Sequence, residues 1–318
     1  MSKTLKTRRN IQFGATVILS LLIIILFLIF AFTSDSFFSY VNLSSMFRNM
    51  SWIFIIAAGE TLVLLTGNLD ISIGGVTALV AVVTAKLYDR GVNIFLVMFI
   101  AILIGLIVGV INGLLVTRMK LLSLLTTLGM LSITSGLAYL ISNGLSTLIL
   151  EDILGFLGRG NVWKIPFPII IALIILIGFT IILNYSKFGR KIYVTGSNAL
   201  AAKLSGVNTK NVILLTFIIC GLCTAIGSLI LTSNTGVGMP QHGMTQMLTI
   251  MAAVILGGVP LSGGKGNVMG TLAAVSLLTI IFNGLTQLNI QSYYIRIAQG
   301  LILIVAVAIY QVRELRKE

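Results

Sequence analysis

The chain is predicted to be an all-α polytopic membrane protein of about ten transmembrane helices, on three observations. Of its 318 residues 57% are hydrophobic and only 9% charged, the mean hydropathy is +1.09, and the charges fall between long uncharged runs. A soluble domain carries roughly a quarter charged residues, whereas about 20 consecutive apolar residues are what a bilayer requires of a helix. An ordinary cytosolic enzyme is thereby excluded. The longest polar stretch, Tyr185 to Lys210, is 26 residues, too short for a soluble catalytic domain, which starts near about 50 residues. The chain therefore reads as one transmembrane domain, 1–318, whose energy source is elsewhere.

Ten apolar segments follow in order: 11–32, 50–66, 74–88, 94–116, 121–141, 167–184, 211–232, 247–257, 268–285 and 294–311. The first, Ile11 to Phe32, follows a basic N-terminus but is longer than a signal-peptide core of about 7 to 15 residues, so it is predicted to be a retained helix. An even number of crossings puts both termini on one side. With that side the cytoplasm, the 21 Lys and Arg divide 15 inside to 6 outside, and the reverse orientation inverts the split against the positive-inside tendency. The excess of 21 basic over 8 acidic residues is thus explained by topology, and nucleic acid is not a predicted partner. Cys220 and Cys223 form a CxxC inside an apolar run, where a thiol is a small hydrophobe rather than a redox or metal group.

Two segments are interrupted. TGNLDISIGG, Thr66 to Gly75, and LGGVPLSGGKGN, Leu256 to Asn267, place paired glycines and polar side chains where helix would otherwise continue. Hydrocarbon cannot satisfy freed backbone groups, so such breaks must be buried in protein or line a wet cavity. A matched pair of breaks, one in each half, points to a transporter built from structural repeats. INGLL at Ile111 to Leu115 and FNGLT at Phe282 to Thr286 also hint at an internal repeat, although their offset differs from that of the glycine breaks.

Candidate residues lie in and around these breaks. Glu60 is ten residues from the next ionisable group, Asp70. A carboxyl group at that depth either lines a solute pathway or hydrogen-bonds a neighbouring helix. Asp70, flanked by Asn68 and Ser72 ahead of Gly74, can cap the restarting helix or contact solute. Gly257, Gly258, Ser262, Gly263 and Gly264 mark the second break as pathway or re-entrant backbone. Lys265 in SGGKG lacks the preceding glycine and following Ser or Thr of a phosphate-binding loop, since Val259 and Gly266 occupy those positions. No nucleotide site is expected. His242, without a nearby Cys, His or carboxylate, offers no metal site and is predicted to be exposed or locally hydrogen-bonded. The longest outer loop, 143–166, holds Glu151, Asp152, Arg159 and Lys164 and could dock a soluble partner or simply be solvated.

Ser186 to Asn208, SKFGRKIYVTGSNALAAKLSGVN, predicts a short cytoplasmic helix. Ser197 or Asn198 can cap it, Ala199 to Ser205 supply two turns, and Gly206 can stop it. A rod of about 10 Å is too short to be stable alone but is suited to docking in a partner's groove.

Together with AAGETLVLLTGNLDISIGG, INGLLVTRMKLLSLLTTLGM and AAVILGGVPLSGGKGNVMGTL, this stretch resembles, in order and spacing, the permease subunits of ribose-type ABC importers. That family includes xylose, arabinose, galactoside and autoinducer-2 permeases, and the resemblance runs from about Ser51 to Tyr310. It implies a multi-pass subunit of the cell membrane that works in a pair with a second permease copy, a cytoplasmic ABC ATPase and an extracytoplasmic solute-binding protein. It also implies that ATP and Mg bind to the ATPase and that this chain holds no cofactor, no metal and no catalytic residue. The family's ATPase-coupling loop maps onto Gly189, Arg190, Gly196, Asn198, Ala201 and Gly206. Where many relatives carry an acidic residue after the asparagine, this chain has Ala199.

A polar solute cannot cross about 30 Å of hydrocarbon unaided, so paired subunits must expose a cavity to one side at a time. The leading expectation is a sugar permease. A branched-chain amino acid or nucleoside permease shares the architecture, and an ion-coupled secondary transporter would want carboxylates at repeat-related positions, for which Glu60 has no clear counterpart.

Overall fold

The structure is a computed structural model that describes residues 19–149 and 152–315. The basic residues Lys3, Lys6, Arg8 and Arg9, the start of the first apolar segment, Glu151, Arg316 and Lys317 lie outside the described residues. The architecture is all-helical: α1 (Leu19–Thr33), α2 (Tyr40–Leu65), α3 (Ile73–Asp89), α4 (Ile94–Thr117), α5 (Ser123–Ser142), α6 (Asp152–Arg159), α7 (Phe167–Tyr185), α8 (Lys187–Ser197), α9 (Ala199–Leu204), α10 (Thr209–Thr235), α11 (Met244–Leu256), α12 (Val268–Gln287) and α13 (Ser292–Leu315). Among the described residues six helices, α2, α4, α5, α7, α10 and α12, are long and apolar enough to cross a membrane, and α1, α11 and α13 include shorter apolar stretches. Every apolar segment of the sequence is helical where it is described, apart from one or two residues at the ends of 50–66, 121–141 and 247–257.

Burial sorts the helices. The apolar window of α2 is 83% buried, against 33% in α4 and 28% in α5 and α7. Thus α2 is the central post, and the other three present most of their surface outward, where Phe95, Leu140 and Ile174 are exposed. A helix with apolar side chains on its outer face is stable only in contact with lipid or another apolar surface. The core surrounds α2, with Phe54, Ile55 and Leu62 of α2, Phe217 of α10 and Val254 of α11 all buried.

Close packing rather than burial from water holds helices together in lipid, so small residues mark the seams. Gly105, Gly109 and Gly113 repeat at every fourth position of α4 and lie on α10. A Cβ added at Gly105 would stand 2.3 Å from the Gly221 carbonyl oxygen, and one added at Gly221 would stand 2.1 Å from that of Gly105. Only two glycines allow the backbones so near.

Asparagine starts many of these helices. Asn93, Asn198, Asn208 and Asn267 accept from backbone N–H groups in the first turns of α4, α9, α10 and α12. The loop 143–166 is partly folded. Its β1 (Thr147–Leu148) pairs antiparallel with β4 (Val237–Gly238), and β2 (Asn161–Val162) pairs with β3 (Ile165–Pro166). The N–H of Gly158 in α6 donates to Ser233 Oγ of α10 at 2.8 Å.

Two boundaries differ from the sequence reading. Helix α2 begins at Tyr40 rather than at 50, because Asn42, Ser44, Ser45, Arg48 and Asn49 depress its hydropathy without breaking it. The stretch 185–210 forms two helices, α8 and α9, hinged at Asn198 in extended backbone, φ −162° and ψ 99°. The backbone from Gly236 to Gly243 is non-helical, as its place between the segments 211–232 and 247–257 implies, and it runs beside α3: a Cβ at Gly238 would lie 2.4 Å from Ala85 Cβ, and one at Gly243 2.5 Å from Thr77 Cβ. Hence α3 and α11 begin side by side, with Gly74 packed on Met247 and Gly243.

Candidate functional site

Three remote segments meet at the C-terminal end of α2. The N–H of Gly264 donates to the Leu65 carbonyl oxygen at 2.8 Å, tying the 257–267 connection to the 66–72 connection. Gly67 and Gly263, both at positive φ, allow these turns to touch: a Cβ at Gly263 would lie 2.5 Å from Gly67 N. Into the same point fits the end of α8, where a Cβ on Gly196 would stand 1.9 Å from the Leu65 oxygen and 2.6 Å from Gly264 N. Ser197 Oγ donates to the Gly264 carbonyl oxygen at 3.4 Å, and Tyr193 OH to that of Gly266 at 2.9 Å. Burial pushes the Tyr193 phenol up to about 12, so it remains a donor at physiological pH.

Helices α8 and α9 are built to be stiff pieces. Ser186 Oγ accepts from Gly189 N at 2.9 Å, and Gly189 is pressed on Ile182 and Leu183 of α7, closing the α7–α8 corner. Arg190 is exposed and reaches back to the Tyr185 carbonyl oxygen at 3.5 Å. Asn198 Oδ1 accepts from Ala201 N at 2.9 Å. At the other end Gly206, φ +81°, donates to the Lys203 carbonyl oxygen and Val207 N to that of Ala202, both at 3.0 Å. These two bonds are the Schellman pattern, which requires the left-handed conformation at its glycine. Ala202 is buried, while Leu200 and Leu204 are 69% and 82% exposed. Six residues thus present two leucines, four positions apart, on the face away from the protein.

Glu60 and Asp70 form a separate buried cluster. Asp70 N donates to Glu60 Oε1 at 3.1 Å, and the Cys220 thiol to Glu60 Oε2 at 3.6 Å. Ser72 N and Oγ both donate to Asp70 Oδ1, which links the aspartate to the first turn of α3, and Asn112 Nδ2 reaches Ser72 Oγ at 2.9 Å. Asn68 Nδ2 turns back to Thr66 Oγ1 at 3.1 Å. The contacts of this cluster are internal and hold the 66–72 connection against α2 and α4. Gly257 packs on Gly270, the site of Gly258 is open, and Ser262 is exposed. The expected site residues are therefore dispersed: Gly196, Gly263 and Gly264 converge, whereas Glu60 and Asp70 sit together elsewhere. Cys220 and Cys223 are buried and unpaired. Among the described residues no group of three His, Cys, Asp or Glu could hold a metal ion.

Towards the opposite end of α2 lies a cavity of about 500 Å³. Asn42, Ser45, Met46 and Asn49 line it from one face of α2, and Thr279, Phe282, Asn283, Thr286 and Gln287 from one face of α12. Spacings of three and four place each set on a single helical stripe. No Asp, Glu, Lys or Arg is among the described residues lining it. Asn42 and Asn283 exchange amide hydrogen bonds of 3.0 and 2.8 Å, and Gln287 Nε2 donates to Asn42 Oδ1 at 2.6 Å. His242, expected to be exposed or locally hydrogen-bonded, is 9% exposed and lines the cavity. Sequence reasoning missed this lining, although the alternation of amide and hydroxyl residues at helical spacing in 42–49 and 279–287 was there to be read. Asn49 and Leu65 are separated along α2 by about 24 Å, so cavity and glycine junction are connected by one straight helix.

Residues 42–307 match the family described as branched-chain amino acid transport system / permease component. Relatives include the ribose import permease protein RbsC of Bacillus subtilis, 35% identical over 89% of this chain and 88% of that protein. The Haemophilus influenzae ribose import permease protein RbsC is 35% identical over 90% of each chain, and the Escherichia coli L-arabinose transport system permease protein AraH is 33% identical over 93% of this chain and 89% of its own length. A family pattern and relatives that both run through nearly every helix described above identify this chain as a multi-pass membrane protein belonging to the branched-chain amino acid transport system / permease component family.

Proposed function

We propose that the chain is the permease subunit of a binding-protein-dependent ABC importer that carries a sugar of the pentose kind, worked by a separate cytoplasmic ATPase through α8 and α9. The observation that carries this reading is the seat of Gly196 on Leu65 and Gly264. A push on the exposed Leu200 and Leu204 of α9 passes the single joint at Asn198 and reaches both interrupted connections through the one contact that Gly196 makes. Sugar as cargo rests on the ribose and arabinose permeases among the relatives; the family's printed description names branched-chain amino acids.

The finer architecture is part of the same proposal. Ten crossings place both termini in the cytoplasm, in keeping with the basic residues Arg118, Lys120, Lys187, Arg190, Lys191, Lys203, Lys210 and Lys265 at the α8–α9 end. An inverted repeat relates α2–α5 to α10–α13. The end of α2 at Leu65 and that of α10 at Thr235 are 170 residues apart, and INGLL and FNGLT are offset by 171. The partner of the Thr66 to Ser72 break is then Gly236 to Gly243 rather than the 256–267 connection, which removes the mismatch of offsets seen in the sequence. Each break precedes a short helix, α3 or α11, and the two start together at the centre, as in transporters whose half-helices meet at the midplane. A second permease copy completes the pathway, an extracytoplasmic binding protein delivers the solute, and ATP with Mg stays on the ATPase.

Reconstitution of the chain with its ATPase and binding protein tests the reading. Labelled pentose should accumulate only with ATP and all components present. Uphill accumulation by the permease alone, driven by an ion gradient, would refute it.

A further inference from the structure

We infer that the cavity between α2, α10, α11, α12 and α13 is itself a binding site for an uncharged polyhydroxylated solute, with Thr249, Thr279 and His242 as its direct hydrogen-bonding groups. The inference rests on the permease reading and assigns its cargo a place and a chemistry. Thr249 Oγ1, Thr279 Oγ1 and His242 Nδ1 are buried atoms with no hydrogen-bond partner in the protein, and all three residues line this one cavity. The threonines are 3% and 7% exposed and the histidine 9%. Helical threonine ordinarily satisfies its hydroxyl on the carbonyl one turn back. Thr61, Thr77, Thr127 and Thr286 do so at 2.7 to 2.8 Å. Thr249 and Thr279 do not. A buried polar atom left unpaired costs about 1–3 kcal/mol, so a side-chain rotation that turns these groups from the wall into the cavity, towards a ligand's own donors and acceptors, is favourable.

The chemistry of the walls selects the ligand class. A carboxylate or ammonium in this cavity would lack a countercharge and carry a heavy desolvation cost. A polyol meets no such cost: each hydroxyl both donates and accepts, matching amides and hydroxyls, and its C–H faces match Trp52 and Phe282. The volume, about 500 Å³, is that of a small-molecule site.

Of the two tryptophans, Trp52 lines the cavity and Trp163 is 96% exposed. The full-length chain carrying Trp163→Phe, in lipid nanodiscs, therefore reports from the cavity through a single indole. It is titrated with D-ribose, L-arabinose, D-xylose, D-galactose and L-leucine. A saturable fluorescence change with at least one sugar and none with leucine is expected. Thr249→Val and Thr279→Val should each weaken the binding roughly three- to tenfold, and Thr249→Ser should restore it. Thr84→Val, which removes another buried unpartnered hydroxyl outside the cavity, should change nothing. A flat titration with every sugar, as for a cavity that holds only water, overturns the site, as does binding of leucine alone or sugar binding indifferent to both valine variants. ATP-driven uptake in the reconstituted system separates the two levels: intact uptake with a flat titration removes this site and leaves the permease reading standing.

Discussion

Gly196 has room for no side-chain atom, since its would-be Cβ lies inside contact distance of two backbone atoms on different connections. Gly196→Ala must therefore push α8 away from Leu65 or break the bond between Gly264 and Leu65. Overpacking of this sort costs about 1–3 kcal/mol, so the variant should melt lower and lose most ATP-driven uptake while still reaching the membrane; normal uptake would mean that the contact transmits nothing. Glu60 shows how far a sequence reading reaches at the same scale, since hydrogen bonding to a neighbouring helix was one of its two expected roles and Cys220 of α10 supplies it. Its isolation in an apolar run correctly marks a residue with demanding partners, but those partners are a backbone N–H ten residues on and a thiol 160 residues away. Position in sequence revealed the need for a partner, and only the packing of α2 on α10 supplied it.

At the scale of elements, α9 is the simplest device in the molecule: an asparagine cap, six residues, a glycine stop and two outward leucines. Leu200→Ser with Leu204→Ser removes apolar surface that is exposed among the described residues, so stability should be unchanged within about 0.5 kcal/mol. Binding to the ATPase, read by co-purification, should fall sharply; undiminished co-purification would show that the motor grips elsewhere. The cap, the stop and the apolar runs were legible in the sequence because each follows from local chemistry. Helix α8 was not, since its amphipathic face gains its partners from α7 and the 264–266 turn. The run 236–243 was legible as a loop, but its place beside α3 was not. It holds a single proline and no charge, and its identity as a break depends on lying beside α3, a tertiary fact.

For the molecule as a whole, the glycine junction and the cavity occupy opposite ends of α2, and the proposed topology puts the first inside. Single cysteines introduced at Asn198 and Gln241, both exposed, should therefore react with impermeant maleimide from the cytoplasmic and outer faces respectively; the native thiols are buried and stay silent. Labelling of both from one face would invert or break the topology. The near-complete coverage of relatives explains why the general architecture could be recognised from motifs, whereas the cavity was legible only as the two polar stripes at 42–49 and 279–287. Its lining is assembled from five helices and the loop before α11, and no single stretch contains it.

The absence of Asp, Glu, Lys and Arg from the residues lining that cavity has an electrical consequence. A charge crossing the bilayer gains or loses about 2.3 kcal/mol for every 100 mV, but a neutral cargo travelling past neutral walls carries no current. Vesicles clamped at different voltages with potassium and valinomycin should import at one rate, so a cell whose membrane has been depolarised would go on feeding through this route for as long as its nucleotide supply lasts.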